Sequence, residues 1–124
     1  MFRQVRAYKT AQGNCQVLVF LESYRKQQKR YLRLVQFVRR ARDSAYLQGQ
    51  RYKNLGGGFH ELRYYPHGHR FVFILQEPDY LIVLYAVEKK RDNYHPDEVD
   101  TWHSRRRDYE ARRWKGEDDV SEPI

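Results

Sequence analysis

One cysteine in 124 residues, Cys15, excludes an internal disulfide and suits a reducing compartment. Its position at the start of an amphipathic stretch marks it as a buried or half-buried structural thiol, not a nucleophile. The longest apolar runs are about strand length, far short of a membrane span. Arg3 and Arg6 interrupt any apolar run at the start, so no signal peptide is read there, and the expectation is a cytoplasmic protein with no membrane partner. Catalytic constellations are scarce too. No pair of carboxylates suits a two-metal nuclease, and no Ser-His-Asp or Cys-His arrangement suggests acyl transfer. The triple glycine Gly56-Gly57-Gly58 is not a phosphate-binding loop, because no Lys-Ser/Thr pair follows and a strand comes next. His67 and His69 flank Gly68 without a third ligand nearby, so neither a metal nor any other cofactor is expected.

Acid is also in short supply. Lys and Arg number 24 against 16 Asp and Glu, a net charge of +8. Residues 115–124 hold one Lys and four acids, a net of −3, which leaves +11 on residues 1–114. A body so basic favours a polyanionic partner. Between Glu22 and Asp43 there is no acid at all, only Arg25, Lys26, Lys29, Arg30, Arg33, Arg39, Arg40 and Arg42. Like charges at helical spacing repel, so such a face is either simply solvated or meets a polyanion, with Arg33 and Arg40 as candidate contacts. Tyrosine is plentiful, with eleven residues, and suits surfaces on which bases stack.

Length allows one domain with one core. Phe2 to Lys9 alternates and reads as an edge strand. A turn follows through Gly13, then a short helix capped by Asn14 with Val17, Phe20, Leu21 and Tyr24 at helical spacing. A longer helix spans about Arg25 to Leu47, with Tyr31, Leu34, Val35, Val38, Ala41 and Ala45 on its apolar side. Gly49 and the triple glycine read as loops, the latter a flexible lead into the sheet. Phe59–Tyr65 puts His60, Leu62 and Tyr64 on one face and Phe59, Glu61, Arg63 and Tyr65 on the other. Pro66 to His69 turns the chain. Arg70–Gln76 and Tyr80–Val87 are nearly continuous apolar runs, as in strands covered on both sides, joined through Glu77-Pro78-Asp79. Pro96, with Asp97 and Glu98 behind it, opens a last helix whose stripe is Val99, Trp102, Arg106, Tyr109 and Arg113. The acidic stretch from Lys115 has little to bury and reads as a fraying tail. The fold class is α+β: strand, two helices, three-stranded antiparallel meander, helix, over residues 1–114, with 115–124 outside it.

Lys53 to Lys90 places Lys53, Arg63, Arg70, Lys89 and Lys90 on or beside three strands. In it stand K-x-L (Lys53 to Leu55), E-L-R (Glu61 to Arg63), G-x-R-F (Gly68 to Phe71) and K-K (Lys89, Lys90). With the element order, these motifs resemble the RelE/ParE toxin superfamily, and more closely its phage-derived HigB-like branch, over roughly Val5 to Trp114. The resemblance implies a RelE-like fold and a toxin restrained by a cognate antitoxin in a type II toxin-antitoxin system. It implies a metal-independent endoribonuclease (an mRNA interferase) acting on mRNA, commonly on the ribosome, whereas ParE-like members poison DNA gyrase. It further implies that Arg70 binds phosphate and stabilises the transition state, that Arg63, Lys53, Lys89 and Lys90 belong to the same site, and that Tyr94 or His95 assists proton transfer.

The chemistry is consistent with that set. RNA carries its own nucleophile, so cleavage needs alignment of the 2′-hydroxyl, neutralisation of charge at phosphorus and movement of two protons. Arginine suits the second task because its planar fork grips two phosphate oxygens and keeps its charge. His95 and Tyr94 are candidates for proton transfer, with Lys53 an alternative base. His60 is a further histidine close to the strands. Arg63 equally well pairs with Glu61 to hold the sheet; Arg70 is the first choice for the phosphate, with a solvated hairpin side chain as its alternative. Lys89 and Lys90 alternate in direction, so one of the two faces the site. A non-catalytic module binding RNA or an acidic protein remains the alternative to a toxin.

Overall fold

The computed structural model describes residues 3–65, 68–76, 79–89, 91 and 93–124. Strand β1 (Gln4–Tyr8) is followed by α1 (Gln16–Glu22), α2 (Gln28–Arg40), β2 (Tyr52–Gly56), β3 (Phe59–Tyr64), β4 (His69–Leu75), β5 (Tyr80–Glu88), α3 (Pro96–Trp114) and β6 (Ser121–Pro123). The strands form one sheet in the order β2-β3-β4-β5-β1-β6. Strands β2 to β5 are an antiparallel meander, β1 runs parallel to β5, and β6 antiparallel to β1. This is a small α+β domain with an N-terminal strand, two helices, a mixed sheet and a C-terminal helix.

Helices cover both faces of the sheet. Leu62, Phe71, Phe73, Leu81 and Val83 pack against Val17 and Leu21 of α1 and Leu34, Val35 and Val38 of α2. Their neighbours Phe59, Val72, Ile74, Ile82 and Leu84 pack against Trp102 and Tyr109 of α3. Two covered faces explain why β4 and β5 read as unbroken apolar runs. Each large side chain so buried contributes roughly 1.5–3 kcal/mol. The register of β4 on β5 shifts between Val72 and Phe73, where Leu84 of β5 is the extra residue.

Several boundaries differ from the sequence reading, each for a local reason. The meander has four strands, because the polar stretch Tyr52–Gly56 pairs with β3 as an edge strand. The triple glycine is the β2–β3 turn, with φ of +85°, +63° and +85°, and is held in place: Arg106 donates from Nη1 to the Gly57 carbonyl. A Cβ at Gly58 would stand 3.1 Å from that guanidinium. Helix α2 stops at Arg40; beyond it the Asp43 carboxylate accepts the Ala45 N–H at 3.0 Å and starts a short 3-10 turn. Cys15, not Asn14, holds the N-cap position of α1 and is buried. Burial pushes its thiol pKa up.

The stretch after Trp114 departs most from the reading. It returns as β6 on the outer side of β1, so β1 is an interior strand rather than an edge. Val120 and Ser121 are buried. Lys9 pairs with Asp119 and, at 2.5 Å, with Glu122, so the acids seen as a loose tail neutralise a cation of the body. The cation that α3 buries is Arg112, bonded to Asp108 at 2.9 Å and to the Lys9 carbonyl, while Arg106 and Arg113 of the expected stripe are only half buried. Beyond the end of β1, the open edge of β5 is closed by side chains. Gln16 bonds both the N–H and the C=O of Ala86, and Arg105 donates to the Leu84 carbonyl at 2.8 Å.

Candidate functional site

The pleat decides which charged side chains meet. Lys53 stands opposite Glu61, and Arg63 opposite Arg70. Opposed residues share a face, so all four lie on the α3 side of the sheet. Past the end of β5, Lys89 and Tyr94 stand together at this corner, and Pro96 then starts α3.

Glu61 is the hub. It is 1% exposed, and Arg63, Tyr94 and Arg70 converge on it. Arg63 grips Oε1 through Nε at 2.9 Å and Nη2 at 2.8 Å. Tyr94 donates its hydroxyl to Oε2 at 2.5 Å, and Nη1 of Arg70 lies 3.9 Å from the same oxygen. The guanidinium of Arg70 and the ammonium of Lys89 sit 5.6 Å and 5.2 Å from the Tyr94 ring centroid. Lys89 in turn bonds Glu98 at 2.6 Å. Glu61 thus faces two arginines, Lys89 is paired with Glu98, and exposed Lys53 stands opposite Glu61 on the neighbouring strand.

The electrostatics fix the protonation of the phenol. Burial first, then the hydrogen bond to Glu61 and its charge, push the Tyr94 pKa up, so the hydroxyl stays protonated and acts as a donor. Although burial pulls the other way, bonds to Tyr65 and Glu61 raise the Arg63 pKa. His95 is 67% exposed in its side chain and is the N-cap of α3. Its Nδ1 accepts the Asp97 N–H at 3.1 Å, while Glu98 reaches back to the His95 N–H at 3.4 Å, a reciprocal capping box. With Nδ1 accepting, the proton of the neutral ring sits on Nε2.

No protein-family model matches the chain, and no curated protein does. The site therefore has to be judged on its own geometry. Six of the residues singled out in the sequence, Lys53, Arg63, Arg70, Lys89, Tyr94 and His95, are gathered at this corner. Lys90 lies outside the described residues. Arg33 and Arg40 are on α2, across the sheet. Arg70, read either as a phosphate ligand or as a solvated hairpin side chain, is neither exposed nor at a turn tip: it is 2% exposed, beneath Tyr94. His60 is half buried on the α2 side, stacked between Tyr52 and Phe73, with Tyr52 Oη 2.7 Å from its Nδ1. Of the His67-Gly68-His69 motif, His67 lies outside the described residues and His69 is buried among Phe20, Tyr24 and Tyr64. Among the described residues no group of three or more His, Cys, Asp or Glu could hold a metal ion, and no helix is long and apolar enough to cross a membrane.

Sequence reasoning underrated Glu61 and missed Glu98. Glu61 shares a face with Arg63 two positions on, and that spacing was the available signal. Glu98 was seen only as a charge favouring the start of α3.

Proposed function

We propose that this chain is a toxin-type endoribonuclease that cleaves mRNA, in keeping with its resemblance to the HigB-like branch, and is held in check by a cognate antitoxin. One observation carries the reading: a corner that gathers Lys53, Arg63, Arg70 and Lys89, with its phenol kept protonated against Glu61, also presents an accessible imidazole. In this reading the exposed ammonium of Lys53 holds the scissile phosphate. His95, exchanging the Asp97 N–H for the 2′-hydroxyl, takes that proton on Nδ1 as the 2′-oxygen bonds to phosphorus. The resulting imidazolium gives a proton to the departing 5′-oxygen as that bond breaks, leaving a 2′,3′-cyclic phosphate and a 5′-hydroxyl, while Tyr94, its hydroxyl on Glu61, is a positioning residue. Arg70 is a positioning residue, a fixed charge beneath Glu61 and Tyr94.

The burial of Arg70 favours a second reading, a module that binds RNA at this corner without turning it over. The two part in one assay. End-labelled RNA, free and in a translating extract, is incubated with the protein in EDTA. Cleavage is expected to survive the chelator and to fall by roughly 10²–10⁴ in Lys53→Ala or in His95→Asn, the latter keeping a good helix cap. Binding without cleavage in either setting would establish the second reading. Cleavage that depends on a divalent ion, or that persists undiminished in both variants, would remove the corner from the chemistry.

A further inference from the structure

The other side of the sheet carries a second cationic feature, and it is continuous with the corner. A groove of about 540 Å³ opens at the start of α2, lined by Lys29, Arg30, Arg33 and Tyr64. Tyr64 also lines a second groove, of about 440 Å³, with Arg51, Arg63, Tyr46 and Tyr65. Tyr46 and Arg51 are shared in turn with a third, of about 310 Å³, where Arg40 and Arg42 stand. The three are shallow and open, and their shared walls join them into one track. Among the described residues that line it, the one acid is Asp43, whose carboxylate is engaged by the Ala45 N–H.

Two properties give the track a chemistry. Its cations are spread along its length, and its aromatic rings are interleaved with them. Lys29, Arg33 and Arg40 are exposed and have no acidic partner within 4 Å among the described residues. Arg51 stacks on the Tyr46 ring, 4.0 Å from its centroid, and Tyr65 is 53% exposed. The placement is also costly to the fold: α2 has no acid in its first turn and instead starts with Lys29 and Arg30, at the end where the helix dipole disfavours cations. A ligand that brings negative charge to that end offsets the cost.

We infer that this track holds single-stranded nucleic acid, with phosphates on the arginines and bases on the tyrosines. The track crosses the sheet ahead of the start of β2, since Tyr52 opposite Leu62 is its first pairing and Arg63 and Tyr64 of β3 extend beyond it. Arg63 belongs to both features, lining the groove, donating to the Tyr65 hydroxyl at 3.1 Å and gripping Glu61. A strand lying in the track is therefore delivered to the corner. The inference rests on the proposed function for its purpose, but its test reads binding alone.

The probe is a fluorescein-labelled 20-nucleotide 2′-O-methyl RNA, which lacks the nucleophile and stays intact, titrated by anisotropy across a range of KCl. The wild type is expected to bind it with a steep salt dependence. Arg33→Ala and Arg40→Ala should each reduce the slope of log K against log salt by about 0.7. Tyr65→Ala should weaken binding roughly fivefold or more at an unchanged slope. Arg107→Ala, an exposed arginine on α3, should change nothing. Equal affinity for a duplex of the same length, or slopes that survive both arginine variants, overturns the track. RNA cleavage with no binding change in these variants would overturn the track and spare the nuclease; binding as expected without cleavage of unmodified RNA would do the reverse.

Discussion

The most exacting prediction concerns Glu61. Replacing it by Gln keeps the volume and one oxygen but removes the charge, so the measurement reads electrostatics and not a cavity. The carboxylate is 1% exposed, and the side chains of Arg63 and Arg70 that face it are 14% and 3% exposed. Without the carboxylate, two guanidiniums remain out of water with no negative charge facing them from this position. The Gln amide also presents N–H groups to one of the Arg63 and Tyr94 donors. Removing one member of a buried ion pair costs about 3–5 kcal/mol, because the other stays buried. With a urea slope of about 1.5 kcal/mol/M, the unfolding midpoint should fall by roughly 2–3 M. The control is Arg63→Met in the Glu61→Gln background. Since the stranded cation is the source of the cost, this second change should recover part of the loss, a coupling of about 1 kcal/mol or more. A midpoint lowered by less than about 0.5 M, with additive effects in the double variant, would refute the idea that Glu61 holds the corner together.

Two further outcomes can be checked with the same urea titrations. Burial, and after it the charge of Arg3, hold His60 below its usual value of about 6.5, so its folded pKa lies under its unfolded one. Its contribution is therefore complete above about pH 6.5 and is lost as pH falls through the folded pKa; His60→Phe, which can keep the stack between Tyr52 and Phe73, should show a flatter stability profile between pH 7.5 and 5, and an unchanged slope would dismiss the assignment. Val120→Ala should cost about 2 kcal/mol, since the side chain is buried with Tyr8 and Tyr109; a frayed C-terminal stretch would show no change.

Legibility in the sequence followed the strength of the local signal. The start of α3 was readable to the residue, because Pro96, Asp97 and Glu98 each favour a helix start for a separate reason. Strands β4 and β5 were readable because covering a sheet on both faces leaves no polar alternation. Strand β2 was not, since an edge strand with Lys53 and Asn54 exposed and Gly56 at its end has the composition of a loop. Strand β6 was hidden for a different reason: three residues cannot show a period, and its acids pointed to solvent when their partner, Lys9, lay at the far end of the chain. The corner was legible as a set of cations but not as a network. What sequence could not supply was depth, namely that the pleat lowers Arg70 beneath Tyr94 and makes Glu61, two positions from Arg63, the group on which the others converge.

The parallel pairing of β1 with β5 has a consequence for the order in which the molecule is assembled. Each turn of the meander β2–β5 closes over a few residues, whereas placing Gln4 opposite Tyr80 closes a loop of about 75. The entropic penalty of that closure exceeds a hairpin's by about 2–3 kcal/mol. During synthesis β1 emerges first, yet it has nowhere to pair until β5 has left the exit channel, and its other side stays open until residues 121–123 arrive. The nascent chain thus carries a naked strand bearing Val5, Ala7 and Tyr8 until β5 and then β6 arrive, the interval in which strand-seeking neighbours and chaperones have access to it.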